Sequence, residues 1–320
     1  MKTCEKNKID KINKKIGNMD NIDNIDFSWW SKDKRNLKNF NQLKKDIIEN
    51  FKNQNLIDKP IIAMLSGGKD SSTALALAKD LGLNIVLAVN FTHKWSWEIP
   101  KNEVKKITKK YNVPLRFCDI TPILTQRIQN GDSRGKNVCK ICKTIMKEQI
   151  TKICYEERIY TVLTGESGLE KIAGPILEYI NKEYGYYNYN IMELTPIPKK
   201  YKNINFFRPL IRCANDDIAQ LQKYYNININ RVWEVGNKIG YWREGCCLQY
   251  ADDEAYLSEK LFDELYYYNN KLTELGRKYK FRASIKFPSK KLFVLPKKKE
   301  YFNLVKENIP EINDLLNNKE

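Results

Sequence analysis

One short loop constrains the fold more than any other feature of the chain. Ile61-Ile62-Ala63-Met64-Leu65 follows Pro60 as a continuous apolar run, the pattern of a buried strand. Ser66-Gly67-Gly68-Lys69-Asp70-Ser71-Ser72 interrupts that run, and Thr73 to Leu81 resumes with helical spacing. Glycines let a backbone turn tightly and come close to an anion. The helix start that follows offers unpaired N–H groups and the positive end of its dipole. Ser66, Ser71 and Ser72 add hydroxyl groups and Lys69 adds a charge. A strand, a loop and a helix of this kind hold phosphate or pyrophosphate. The glycine spacing is neither that of a Walker loop nor that of a dinucleotide fingerprint.

The pattern then repeats as strand and helix. Ile85 to Phe91 reads as a second strand, and Pro100 to Tyr111 as a charged helix. Val113 to Cys118 is a third strand, followed by a helix near Ile120 to Ile128 and a longer one from Cys139 to Glu157. Ile159 to Thr164 is a fourth strand. Such alternation builds parallel βαβ units and hence an open α/β sheet. Beyond about residue 200 the pattern is mixed. Phe206 to Ile211 is a short extended piece and Asn215 to Tyr225 a helix. A long helix is expected over Asp252 to Lys278, a hairpin over Phe281 to Phe287 and Leu292 to Leu295, and a last helix over Tyr301 to Leu316. The expected organisation is an N-terminal helical extension over 1–58, a nucleotide-binding domain over 59–225, and a C-terminal α+β appendage over 226–320. Trp29 and Trp30 read as the docking point of the extension.

Composition narrows the function. Apolar residues make up 42% of the 320, enough for a sizeable core. No stretch has the length and apolarity of a membrane span, and the N-terminus lacks the apolar core of a secretory signal. A cytoplasmic protein with no membrane partner is expected. His93 is the only histidine, which disfavours chemistry built on histidine bases or histidine metal clusters. The net charge of +17 fits a polyanionic partner, and equally an AT-rich genome that encodes lysine freely.

The cysteines are informative through their spacing. Cys139-Lys140-Ile141-Cys142 opens a helix, where two thiols three apart can grip one metal or one cluster, and where the helix dipole is expected to lower their pKa. Zinc, a redox pair and an iron–sulfur cluster all remain open. Gly245-Cys246-Cys247 offers a further ligand. Adjacent side chains diverge, so one of the two is expected to bind, with Cys213 in reserve. Cys118 and Cys154 read as core residues, and Cys4 as part of a tail.

Ser66 to Ser71 in this setting resembles the PP-loop of the ATP pyrophosphatase superfamily, over roughly residues 58–225. The resemblance implies a Rossmann-like adenine nucleotide α-hydrolase fold and an enzyme that uses ATP and Mg²⁺ to adenylate its substrate. It carries nucleotide contacts onto Ser66, Gly67, Gly68, Lys69, Asp70, Ser71 and Ser72. It adds Val89, Asn90 and Phe91 at the end of the second strand, and Gly165 after the fourth. Asp70 and Lys69 are the implied catalytic residues of the loop. His93, just past Phe91, reads as an exposed loop residue. Many members carry a Gly-His-Asn-x-Asp-Asp-type motif after the fourth strand. Here Leu163-Thr164-Gly165-Glu166-Ser167 stands instead, with Glu166 or Glu170 as the acidic substitute.

The order of PP-loop, C-x-x-C, Arg208-Pro209-Leu210, helix and later cysteine is similar to that of the cluster-dependent tRNA 2-thiolation enzymes. That resemblance implies a 4Fe-4S cluster on Cys139, Cys142 and Cys246 or Cys247, with zinc as the alternative metal. It makes Cys139 and Cys142 part of the catalytic set, tRNA the substrate, and sulfide or a persulfide carrier the sulfur donor. A homodimer is compatible with it. The family's terminal zinc ribbons are missing. Other readings are a PP-loop amidotransferase acting with ammonia on an N-acetyl or nucleotide sugar, a phosphoadenylylsulfate reductase-like enzyme, and a zinc-stabilised RNA-binding module. Basic residues crowd the C-x-x-C segment at Arg134, Lys136, Lys140, Lys143, Lys147 and Lys152. A second basic stretch, with Lys286, Lys290, Lys291, Lys297, Lys298 and Lys299 near Phe287 and Phe293, suits either RNA contact or a plain lysine-rich hairpin. Tyr184, Tyr186, Tyr187 and Tyr189, and Tyr266 to Tyr268, are read as packing residues.

Overall fold

The computed structural model describes residues 56, 58–129, 133–166, 203–210, 213, 215–228, 231–235, 238–241 and 246–317. The expected N-terminal extension with Trp29 and Trp30, and also Cys4, Glu170 and Tyr184 to Tyr189, lie outside the described residues. The chain divides into two compact units. One takes residues 1–89, 106–116 and 153–227, and the other takes 90–105, 117–152 and 228–320.

The alternation read from the sequence forms an open parallel sheet. The strands are β1 (Ile61–Met64), β2 (Ile85–Thr92), β3 (Leu115–Asp119), β4 (Thr161–Leu163) and β5 (Asn205–Phe207). The helices among them are α1 (Lys69–Asp80), α2 (Glu98–Lys110), α3 (Thr121–Ile128), α4 (Val138–Glu157) and, after β5, α5 (Asn215–Tyr224). The strand order is β3-β2-β1-β4-β5, with β1 parallel to both β2 and β4, and β4 parallel to β5. The chain therefore reverses its direction of growth between β1 and β4. Open α/β sheets bind ligands at such a switch point, outside the carboxyl ends of the strands. Ile61, Ile62, Ala63, Val162 and Leu163 are buried, as strands covered on both faces require.

In this first unit α1 packs on α5 through Ala74, Leu77, Ile218 and Leu221. Tyr225 closes the pair by donating from its hydroxyl to Asp80 Oδ2 at 2.9 Å. Cys213 is fully buried in the same cluster, as expected of a small core residue, and Cys154 is also buried.

The second unit has its own core. Trp95, Ile120, Leu124, Val138 and Ile145 pack with Phe262, Leu265 and Leu272 of α6 (Glu259–Tyr279) and with Ile285 and Val294. The last two lie on the antiparallel hairpin β8 (Arg282–Lys286) and β9 (Lys291–Leu295). Asn269 binds α6 to β8. Its amide nitrogen donates to the carbonyls of Leu265 (2.9 Å) and Ile285 (3.0 Å), and its oxygen accepts from Ile285 N–H (2.9 Å).

Three expectations need correction here. The long helix begins at Glu259 rather than Asp252, with Ser258 Oγ capping it by accepting from Leu261 N–H at 3.2 Å. The residues before it stay out of the helix because they bond to the turn ahead of α4: Gly135 N–H donates to the Ala255 carbonyl, and Leu257 N–H to that of Ser133, both at 2.9 Å. The last helix is two, α7 (Lys299–Asn308) and α8 (Pro310–Asn317). Pro310 has no N–H to continue α7 and is well suited to a helix start. Finally, an antiparallel pair, β6 (Arg231–Val235) and β7 (Lys238–Tyr241), lies in a segment with no strand expectation.

Candidate active site: the phosphate loop and the thiol cluster

The loop after β1 is held open by its own side chains. Gly67 adopts φ 75°, a left-handed conformation that favours glycine. Ser71 Oγ donates to the Gly68 carbonyl at 3.1 Å and accepts from Ser66 N–H at 3.2 Å, and the Ser66 and Ser71 hydroxyls stand 3.1 Å apart. No side chain caps α1 at its N-terminal Gly68. The first-turn N–H groups of an uncapped helix are open to an anion. Lys69 Nζ lies 3.6 Å from Asp70 Oδ1, so the lysine charge stays at the loop. Ser72 is buried in α1, and its N–H donates to the Gly68 carbonyl at 3.2 Å.

Gly165 meets this loop from the adjacent strand. A Cβ added there would lie 2.4 Å from both N and Cα of Ser71. Any side chain would displace the α1 N-terminus, so the glycine is a requirement of close approach. Its neighbours are polar, Thr164 buried and Glu166 partly exposed. Thr164 Oγ1 has no hydrogen-bond partner among the described residues. Glu166, expected as an acidic substitute for the family motif, accepts a hydrogen bond from Nε of Arg208, whose side chain is 1% exposed. The acid is thus engaged by the arginine of Arg208-Pro209-Leu210. Val89 accepts from Leu65 N–H at 2.9 Å, Asn90 is buried, and Phe91 packs on the core of the second unit.

The thiols gather in the second unit. Cys139 is exposed in the first turn of α4 and Cys142 is buried one turn on. Cys246 precedes the 3-10 turn Cys247–Tyr250, and its Sγ accepts from Leu248 N–H at 3.3 Å. Cys247 is fully buried, and its Sγ donates to the Trp95 carbonyl at 3.4 Å. Of the adjacent pair, Cys246 is the one in electrostatic reach of both Cys139 and Cys142.

His93 was missed as a site residue. It is buried rather than exposed, with Nε2 3.3 Å from Cys246 Sγ and no hydrogen-bond partner on Nδ1. A tight turn fixes the ring, with His93 N–H donating to Ser96 Oγ (2.9 Å) and Ser96 N–H donating to the His93 carbonyl (2.8 Å). The available signal was its place just past the carboxyl end of β2, where open sheets put their ligands.

The expected lowering of the thiol pKa values is also corrected. Desolvation, followed by the charge of Cys246, pushes the Cys139 thiol up. The same causes in the same order push Cys142 up to about 12. The hydrogen bond with Cys247, then burial, holds Cys246 well above the usual thiol range against the opposing His93 contact. For Cys139 and Cys142 burial comes first among the causes and repulsion second. Such a set stays protonated until a cation compensates it. Among the described residues no three of His, Cys, Asp and Glu stand closely enough to hold a metal ion.

The basic residues beside C-x-x-C divide. Arg134 donates from Nη1 to the Glu254 carbonyl at 3.0 Å and stacks on Tyr256, while Lys136 pairs with Glu254 at 2.8 Å. Lys140 and Lys143 remain exposed.

The switch-point loop, the uncapped helix and the glycine approach from β4 define a PP-loop nucleotide-binding protein, and the chain is a member of the PP-loop ATP pyrophosphatase superfamily. The family described as Queuosine biosynthesis protein QueC matches residues 60–162, from the residue before β1 into β4. The chain is 52% identical over 293 residues to the uncharacterised protein MJ1016 of Methanocaldococcus jannaschii, covering 90% of this chain and 99% of that one. It belongs to the same family as that protein. Two solved structures are similar at 13% identity. The U34-tRNA thiolase NcsA from Methanococcus maripaludis with its 4Fe-4S cluster has a TM-score of 0.47 over 88% of this chain and 80% of its own. The NMN synthetase from Francisella tularensis has a TM-score of 0.43 over 60% and 73%. Superfamily membership makes this an ATP-using enzyme and implies ATP with Mg²⁺. Among the described residues no helix is long and apolar enough to cross a membrane.

Proposed function

We propose that the chain is an ATP-dependent sulfurtransferase that replaces a carbonyl oxygen of a tRNA base with sulfur. The observation that carries this reading is that Cys246, and not Cys247, is in electrostatic reach of Cys139 and Cys142 in a chain that also has a PP-loop. A phosphate loop alone fits any adenylating enzyme. Cys139, Cys142 and Cys246 carry no disulfide and are the residues this reading assigns to a metal-based partner.

The phosphates of Mg²⁺-ATP bind at Ser66 to Ser72, where first-turn amides of α1 and the Lys69 ammonium face the negative charge. Gly165 brings the end of β4 against the same turn. The carbonyl oxygen of the base attacks the α-phosphorus and pyrophosphate leaves. Charge grows on the phosphoryl oxygens in that step, and preorganised N–H donors stabilise it without reorganising. Asp70 keeps Lys69 over the loop. Sulfide then adds to the activated carbon, and AMP departs with the former carbonyl oxygen. Cys139, Cys142 and Cys246 would hold a 4Fe-4S cluster, which when bound supplies an iron with an open position for sulfide. Cys247 supports this arrangement from the core. The exposed Lys140 and Lys143 offer positive charge to the nucleic-acid backbone beside the thiols.

The test uses protein purified without oxygen, with ATP, sulfide and unmodified tRNA. Thionucleoside detected by mass spectrometry, together with one AMP and one pyrophosphate per sulfur inserted, is the expected result. AMP formation with ammonia and a sugar acceptor, but none with tRNA, overturns the reading in favour of an amidotransferase. Lys69→Ala is expected to depress adenylation at least about a hundredfold, as loss of a transition-state charge contact does. Unchanged adenylation removes Lys69 from the site.

A further inference from the structure

We propose that the outer face of the β8–β9 hairpin is a docking surface for an unpaired stretch of RNA, with its phosphates on Arg282, Lys286 and Lys291 and a base stacked on Phe293. The proposal rests on the RNA-directed reading above and adds where on the chain the RNA is held.

The register places these residues on one face. Arg282 lies opposite Leu295, Ser284 opposite Phe293, and Lys286 opposite Lys291. Residues directly opposite in an antiparallel pair share a face. The other face, Ala283 with Val294 and Ile285 with Leu292, turns to the core, where Ala283, Ile285 and Val294 are buried. The outer face is therefore a row of cations with an aromatic ring in its middle. Phe293 is 38% exposed and Leu295 44%, among the few large apolar side chains left open to solvent. Lys291 Nζ lies 5.2 Å from the centroid of the Phe293 ring. Ser284, small and buried, leaves the ring standing above its strand.

Charge selects the occupant. No acidic residue occurs from Arg277 to Lys299, a stretch that also holds Lys278, Lys280, Lys290, Lys297 and Lys298. Asp253 lies 4.0 Å from Lys286 Nζ, and Asp252 is taken up by Ser289 at the turn, accepting from its N–H at 2.7 Å and its hydroxyl at 3.0 Å. Arg282 Nη2 donates to the Tyr250 hydroxyl at 3.4 Å, which orients it without neutralising it. A face with an excess of positive charge suits a polyanion, and the open ring at its centre separates RNA from a simple anion. Stacking needs a base free of its own helix, so an unpaired stretch fits and a duplex does not.

The experiment measures binding of fluorescein-labelled oligouridine, and of a duplex RNA of equal length, to the full chain across a salt series. Oligouridine is expected to bind more tightly than duplex. The triple variant R282Q/K286Q/K291Q should lower the slope of log Kd against log salt by about 2, because each lost single-strand phosphate contact removes ~0.7. Phe293→Ala should weaken binding about fivefold or more with an unchanged slope, and Phe293→Tyr should restore it. Unaltered melting temperatures show that the variants fold. If wild type binds oligouridine and the triple variant binds it equally with the same slope, the hairpin is not the surface, while the thiolation reading stands. If wild type binds neither RNA at low salt, the surface and the tRNA reading fall together. Preference for duplex, or a Phe293→Ala variant of full affinity, overturns the stacked base.

Discussion

Cys246 Sγ and His93 Nε2 stand 3.3 Å apart although the residues are separated by 153 positions in the chain. The contact gives the one histidine a defined task. Its ring sits against the sulfur of Cys246, while Cys247 is tied to the Trp95 carbonyl. Hydrogen bonds to ligand sulfurs orient them and tune the metal they hold. His93→Phe keeps the ring volume and removes the N–H. Reconstituted protein is expected to load iron and to lose it to a chelator several-fold faster than wild type. Equal loss rates would detach His93 from the site.

The two adjacent cysteines are expected to separate cleanly. Cys246→Ala should abolish anaerobic iron and sulfide incorporation, as should Cys139→Ala and Cys142→Ala. Cys247→Ala should retain both and instead lose about 1 kcal/mol of stability, the size of a small core cavity. Iron and acid-labile sulfide analysis with chemical denaturation checks each half. Retained cluster in Cys246→Ala would place the third ligand elsewhere.

Gly165→Ala should damage nucleotide binding more than folding. The added Cβ would lie 2.4 Å from Ser71 N, so the first turn of α1 must shift. Overpacking of this kind costs about 1–3 kcal/mol. ATP affinity measured by calorimetry is expected to fall at least tenfold in a protein that still melts cooperatively. Wild-type affinity would mean that the turn does not hold the phosphates.

Asn269 is fully bonded in the core, and its loss strands groups on both partners. Asn269→Ala leaves the Ile285 N–H and carbonyl without their side-chain partners. An unsatisfied buried group costs about 1–3 kcal/mol, so denaturation should show a loss within or above that range. Asn269→Leu is expected to be no better, because shape does not replace these bonds.

Glu311 on α8 gives a pH-dependent contact. Its hydrogen bond with Lys271 of α6, at 2.6 Å, is the main cause that holds its carboxyl below the usual glutamate value. A depressed folded pKa contributes stability above the ordinary value, and that contribution is lost as pH falls through the folded one. Melting temperatures of wild type and Glu311→Gln should therefore differ near neutral pH and converge in acid. The difference should shrink with salt, since the pair is exposed.

Much of the nucleotide unit was legible because its signals are local. The apolar run Ile61 to Leu65, the Ser66 to Ser72 loop and the helical spacing after it each state their structure within a dozen residues. The C-x-x-C at a helix start was legible for the same reason, as was the hairpin after Phe281. The helix expected from Asp252 failed because residues 252–257 take their hydrogen bonds from Ser133 to Lys136, which no local pattern reveals. Helical periodicity ran through Pro310 because spacing ignores a missing N–H. His93 looked like any loop histidine, since burial is a property of what packs around it.

The sequence by itself determined the class of chemistry: strand, glycine loop and helix make a phosphate site whatever surrounds them, because backbone amides and a helix dipole are local properties. Tertiary structure alone decided which remote residues meet within each unit. The β1–β4 neighbourhood sets Gly165 against Ser71, and the turn before Leu248 aims Cys246 at His93 and leaves Cys247 in the core. Contacts between residues so far apart depend on how the chain closes its core, and neither periodicity nor composition encodes that closure one segment at a time.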